Sequence, residues 1–78
     1  MVTKAVEERR VALETAHPGW LVGLSRTGAM WMATRRRTLT GRELRAGLVQ
    51  SVIEDGADAL AERLAEQDAT ELRAGAVR

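Results

Sequence analysis

The most pointed chemistry in the chain is a group of arginines. Arg35, Arg36 and Arg37 are consecutive, and Arg26, Arg42 and Arg45 flank them. Guanidinium groups clustered in this way could contact phosphates, which positions a protein on nucleic acid without reading its sequence. A plainer account is charge neutralisation. Residues 1–47 sum to +5 and residues 48–78 to −4, so the basic half can pair with the acidic half in the fold. No aromatic residues are interleaved with the arginines. The pI of about 8.5 also lies below the value expected of a dedicated nucleic-acid domain. Ion pairing is therefore the leading expectation for this patch, and nucleic-acid binding the alternative. On that account, changing Arg35, Arg36 and Arg37 to Gln costs under about 1 kcal/mol, because surface ion pairs contribute little.

Catalytic chemistry has few candidates. His17 is the only side chain with an ordinary pKa near neutrality. It stands directly before Pro18 at the expected end of a helix, where a cap is its natural role. Ser25 and Ser51 have no companion base. Glu7-Glu8 and Glu54-Asp55 are adjacent pairs, and neighbours on one element point apart. Gly41 and Gly47 lack the spacing and the lysine of a phosphate-binding loop. The chain has no Cys and one His, which removes disulfides, thiolate metal sites and a histidine cluster. The expectation is no catalytic residue, no metal, no cofactor and no enzyme activity.

These residues need elements to hold them. Thr3 to Ala16 reads as a helix with Thr3 as N-cap and Arg10 four residues before Glu14. Pro18 ends it. Trp20 to Leu24 alternates as a strand, Ser25 to Gly28 is a turn, and Ala29 to Arg35 is the return strand. Thr40 and Glu43 have the spacing of a capping box, so a short helix is expected over about 41–46. Val49 to Glu54 fits either helix or strand, and its β-branched content decides for strand. Asp55-Gly56 is a turn. Ala57 to Gln67 is an amphipathic helix with Leu60 and Leu64 on its apolar stripe. Residues 68–78 are expected to form a short turn and a frayed tail.

The predicted fold class is α+β: a three-stranded antiparallel sheet with two helices on one face, in the order α-β-β-β-α. One domain spans 1–78, with its core over about 3–67. Val22, Trp31, Ala33, Leu60 and Leu64 are the expected core. Two helices on one side leave the other face open, and the period of two places Leu21, Met30 and Met32 there. An uncovered apolar face on so short a chain points to a partner, either a second copy in a homodimer or a larger protein. The expected function is that of a small accessory or regulatory protein acting through protein–protein contact. No run is long enough to span a membrane. The N-terminal segment carries Glu7 and Glu8 and no apolar stretch, so the expected location is the cytoplasm.

The segments HPGW, WMATRRR and VIEDGADALAERLAEQ together resemble a group of short, uncharacterised actinobacterial proteins. Those carry a similar HPGW-to-W-x-A-T-R hairpin, then a strand, an acidic turn and a terminal helix. The likeness covers roughly residues 15–67. It supports the strand at 49–54 and implies no activity. The element order also resembles the double-stranded-RNA-binding fold. That fold grips phosphate with lysines at the start of its last helix, where this chain has Asp55-Gly56-Ala57-Asp58. The resemblance is one of topology, and a fold does not carry its function with it.

Overall fold

The computed structural model describes residues 3–76. The elements run α1 (Lys4–Ala16), β1 (Trp20–Leu24), β2 (Trp31–Arg35), α2 (Gly41–Arg45), β3 (Ser51–Glu54) and α3 (Ala57–Ala76). The strands form one antiparallel sheet in the order β1-β2-β3. This is the expected α+β class, and α2 is the short helix expected over about 41–46.

Local chemistry sets the boundaries. Thr3 caps α1 by accepting a hydrogen bond from the Val6 N–H at 3.2 Å. His17 leaves the helical region ahead of Pro18, and its N–H still bonds to the Leu13 carbonyl. Thr40 and Glu43 form a reciprocal capping box at the start of α2. In the β1–β2 turn Gly28 takes φ +79°, a conformation that disfavours any side chain. Ser25 closes this turn by donating its N–H to the Met30 carbonyl.

Register places Val22 opposite Ala33, and Ala33 opposite Val52. These residues, with Trp20 and Trp31, line the inner face of the sheet. Leu13 from α1 and Leu60 and Leu64 from α3 close the core against them. Trp20, Leu60 and Leu64 are completely buried, and Val22, Trp31 and Ala33 are nearly so. α1 packs on β1, while α3 packs on β3 and β2.

Three boundaries differ from the sequence expectation. β2 begins at Trp31, not Ala29, because the Ala29 and Met30 N–H groups donate to Thr27 Oγ1 and Ser25 Oγ in the turn. β3 begins at Ser51, not Val49, because side chains take the backbone of Val49. Its N–H donates to Gln67 Oε1 at 2.8 Å, and its carbonyl accepts from Arg35 Nε at 2.8 Å. The last helix does not stop at Gln67 with a turn and frayed tail beyond; it continues to Ala76, and residues 77–78 of the expected tail lie outside the described residues. Its inward face changes from leucine to polar groups at Gln67, Asp68 and Glu71, each bonded to the sheet end of the molecule. An apolar stripe therefore ends where the helix does not.

α1 also reaches the outer edge of β1. Glu14 Oε2 accepts the Val22 N–H at 2.8 Å, and Arg10 Nη1 donates to the Val22 carbonyl at 3.2 Å. Arg10 and Glu14 are themselves paired at 3.0 Å. The Val22 N–H, followed by the Arg10 guanidinium, holds the Glu14 carboxyl below its ordinary pKa.

Candidate interaction surface

The alternation that buries Trp31, Ala33 and Arg35 turns Met32 and Thr34 to the other side of β2. Met32 has Gly23 beside it on β1 and Ile53 beside it on β3. Gly23 presents no side chain, and a Cβ built there would meet nothing within 4 Å, so the flank of Met32 is open. Leu21 lies one pleat away, opposite Thr34. Thr34 and Ser51 face each other with hydroxyls 3.3 Å apart and supply a polar margin. Met30 leads into β2 on the same side. Leu21, Met30, Met32 and Ile53 are 50%, 38%, 39% and 59% exposed. Both long helices pack on the opposite face, and these four apolar side chains stay partly open to solvent.

The sequence reading placed Leu21, Met30 and Met32 on this face and omitted Ile53. The signal for Ile53 was available: once 49–54 is a strand with Val52 inward, the residue next to it must point outward.

The arginines do not form one patch. Arg35 is 5% exposed and shares the inner face of β2 with Trp31 and Ala33. Its guanidinium lies 4.3 Å over the Trp20 ring. It also donates to Val49 O, to Glu71 Oε1 at 2.8 Å and to Gln67 Oε1 at 3.0 Å. Arg35 is therefore enclosed by protein and is withdrawn as a nucleic-acid contact. Arg37 is exposed but grips Glu43 at 2.6 Å and Glu71 at 2.6 Å. Hydrogen bonds from Arg37, then from Arg35, hold the Glu71 carboxyl below its usual range. Arg37, joined by the Thr40 backbone N–H, lowers Glu43 to about 2. Arg36 is exposed and donates to the Pro18 carbonyl at 3.0 Å. Arg26 lies in the β1–β2 turn, at the other end of the strands from Arg36, roughly 20 Å away at ~3.3 Å per residue. Arg42 and Arg45 are exposed on α2.

His17 meets a carboxylate that local sequence does not reveal. Its Nδ1 lies 2.6 Å from Asp68 Oδ2, and Asp68 Oδ1 accepts the Trp20 indole N–H at 3.2 Å. Asp68 thereby satisfies the polar atom of a completely buried tryptophan. Gln67 completes the arrangement: its Nε2 donates to Gly47 O, while its Oε1 accepts from both Val49 and Arg35. These contacts form a polar clasp between the second half of α3 and the sheet. A shallow depression beside it is lined by Pro18, Gly19, Asp68, Glu71 and Leu72. Among the described residues, no group of three acidic or histidine side chains is arranged to hold a metal, and no helix is long and apolar enough to cross a membrane.

Searches of protein-family models, of curated proteins and of solved structures each return no match to this chain.

Proposed function

We propose that this chain is a non-enzymatic interaction module, an accessory or regulatory protein that docks through the open face of its sheet. The observation that carries the reading is the exposed group of Leu21, Met32 and Ile53, one on each strand, with Met30 at its end. Unbranched methionines adapt to the shape of what they touch. The Thr34–Ser51 margin keeps the patch bounded. The occupant of this face is the surface of a larger protein, and the cytoplasm is where we place this activity.

The nucleic-acid alternative has lost Arg35 to the interior and has Arg37 engaged by two carboxylates.

The test is a paired substitution, Met30→Lys with Met32→Lys. Solution mass and co-purification from the native host are measured for parent and variant, with near-UV circular dichroism to verify the fold. The variant is expected to lose the captured protein partner by at least about tenfold in affinity, the equivalent of 1.4 kcal/mol. Undiminished capture by a folded variant would overturn the reading. So would a parent that captures nothing. Binding to DNA or RNA that falls steeply with salt would favour the alternative.

A further inference from the structure

The two edges of the sheet are treated differently. On β1 the outward N–H and carbonyl of Val22 are occupied by Glu14 and Arg10 of α1. A side-chain plug of this kind stops another strand from adding at that edge. β3 has no such plug. The Arg35 N–H bonds to the Gln50 carbonyl, which fixes the phase of the β2–β3 ladder. Arg35, Ala33 and Trp31 therefore exchange hydrogen bonds with residues 50, 52 and 54, and the N–H and carbonyl groups of Ser51 and Ile53 point away from the sheet. The close Thr34–Ser51 hydroxyl contact agrees with this phase, since side chains approach most nearly at pairs without ladder bonds. Among the described residues, no side chain bonds to these four backbone groups. α3 lies beneath β3, on the buried face.

We propose that the free edge of β3 is a self-association surface, where two copies pair β3 to β3 antiparallel about a two-fold axis and form one continuous sheet.

The strand is self-complementary in one register. With Val52 opposite its own copy, Ser51 stands opposite Ile53 of the second chain. All four outward groups of each chain then find partners. Gln50 falls opposite Glu54, so no like charges oppose each other. Centring on Ile53 would instead set Ser51 against Asp55, which lies in the turn beyond the strand. The layer beneath also fits. α3 packs on both β2 and β3. With an axis between those strands, it would lie about two strand spacings, or ~9.6 Å, from its two-fold copy, which is an ordinary interhelical distance. The Arg63–Glu54 contact at 3.5 Å shows which side of α3 turns to this edge. Helical periodicity puts Ala59, Glu66 and Thr70 on that side with Arg63. A small residue and one charge of each sign suit a two-fold neighbour. Above the sheet, Ile53 would bring the two open faces into one wider apolar surface.

The inference stands apart from docking through the face, because it uses backbone groups of β3 and not the side chains of Leu21, Met30 and Met32. The test is a semisynthetic chain with an N-methyl group on the Ile53 amide. This removes an outward donor and no intramolecular bond. The same modification on the Leu24 amide, outward on β1, is the control, and Met32→Lys separates edge from face. Sedimentation equilibrium reads the mass. The parent is expected at twice the 8.5 kDa chain mass. N-methylation at Ile53 should weaken the dimer by about tenfold or more, since the two-fold axis removes the bond twice. N-methylation at Leu24 and Met32→Lys should leave it intact. In a mixed-isotope dimer, the Val52 α-protons of the two chains should show a direct contact. A monomeric parent, a dimer indifferent to N-methylation at Ile53, or one abolished by Met32→Lys alone would overturn the inference.

Discussion

Replacing Arg35 by alanine tests whether the three consecutive arginines play different roles. The guanidinium donates to Val49 O, Glu71 and Gln67 and covers the Trp20 ring. Truncation leaves the Val49 carbonyl without its donor and opens space beside a completely buried indole. Removing one partner of a buried ion pair costs about 3–5 kcal/mol. Glu71 is 37% exposed and can turn to water, and Arg37 still holds it, so the lower part of that range applies. The expected loss is about 3 kcal/mol, a large share of the stability of a small domain. Arg36→Ala removes one exposed bond to a carbonyl and should cost under about 1 kcal/mol. Urea unfolding followed by tryptophan fluorescence measures both. With a slope near 1 kcal/mol/M, Arg35→Ala should lower the midpoint by about 3 M. Arg35→Lys keeps the charge without the planar fork and should fall between the two. Equal midpoints for Arg35→Ala and Arg36→Ala would refute the buried-clasp account and restore the expectation that all three arginines are surface charges.

Two further outcomes follow from the same geometry. Glu14, Glu43 and Glu71 are all held below their ordinary pKa in the folded chain. Lowered carboxylates stabilise above the unfolded pKa, and that contribution is lost as pH falls through the folded one. The urea midpoint should therefore decline as pH falls from about 4.5 toward about 2; Glu43→Gln should remove the lowest part of the decline, and an unchanged profile would count against the Arg37–Glu43 pair. Asp68→Ala leaves the Trp20 indole N–H without its acceptor and should cost about 1–3 kcal/mol. Amide exchange should accelerate mainly in the second half of α3, and a uniform acceleration along the chain would contradict a local clasp.

Much of the fold was readable because local signals agreed. Thr3, the Thr40–Glu43 box, Pro18 and Gly28 mark ends and turns, and alternation across Trp20–Leu24 and Trp31–Arg35 separates the two faces. Arg35 was misread although its parity with Trp31 and Ala33 placed it inward: three arginines in a row read as charge before they read as a strand end. The extent of α3 was hidden for a related reason. Its inward face turns polar at Gln67, and the groups that satisfy Gln67, Asp68 and Glu71 lie far away in the chain. No local pattern reports a bond between His17 and Asp68 or between Arg35 and Glu71. The open face followed from layer counting alone, which is why its residues were mostly anticipated while the clasp was not.

The clasp also has a consequence in time. Successive strands pair with each other, α1 packs on the strand that follows it, and α3 packs on the strand that precedes it. Contacts of this short range form early and cheaply. The bonds of His17 and Trp20 to Asp68 instead close loops of 51 and 48 residues, and the Arg35–Glu71 bond one of 36. Closing such loops before the sheet exists carries entropy that a few polar bonds do not offset. The clasp then forms after the rate-limiting barrier, and its strength governs how long the native state lasts while leaving the speed of its formation unchanged. In stopped-flow traces, Arg35→Ala should raise the unfolding arm and leave the refolding arm in place.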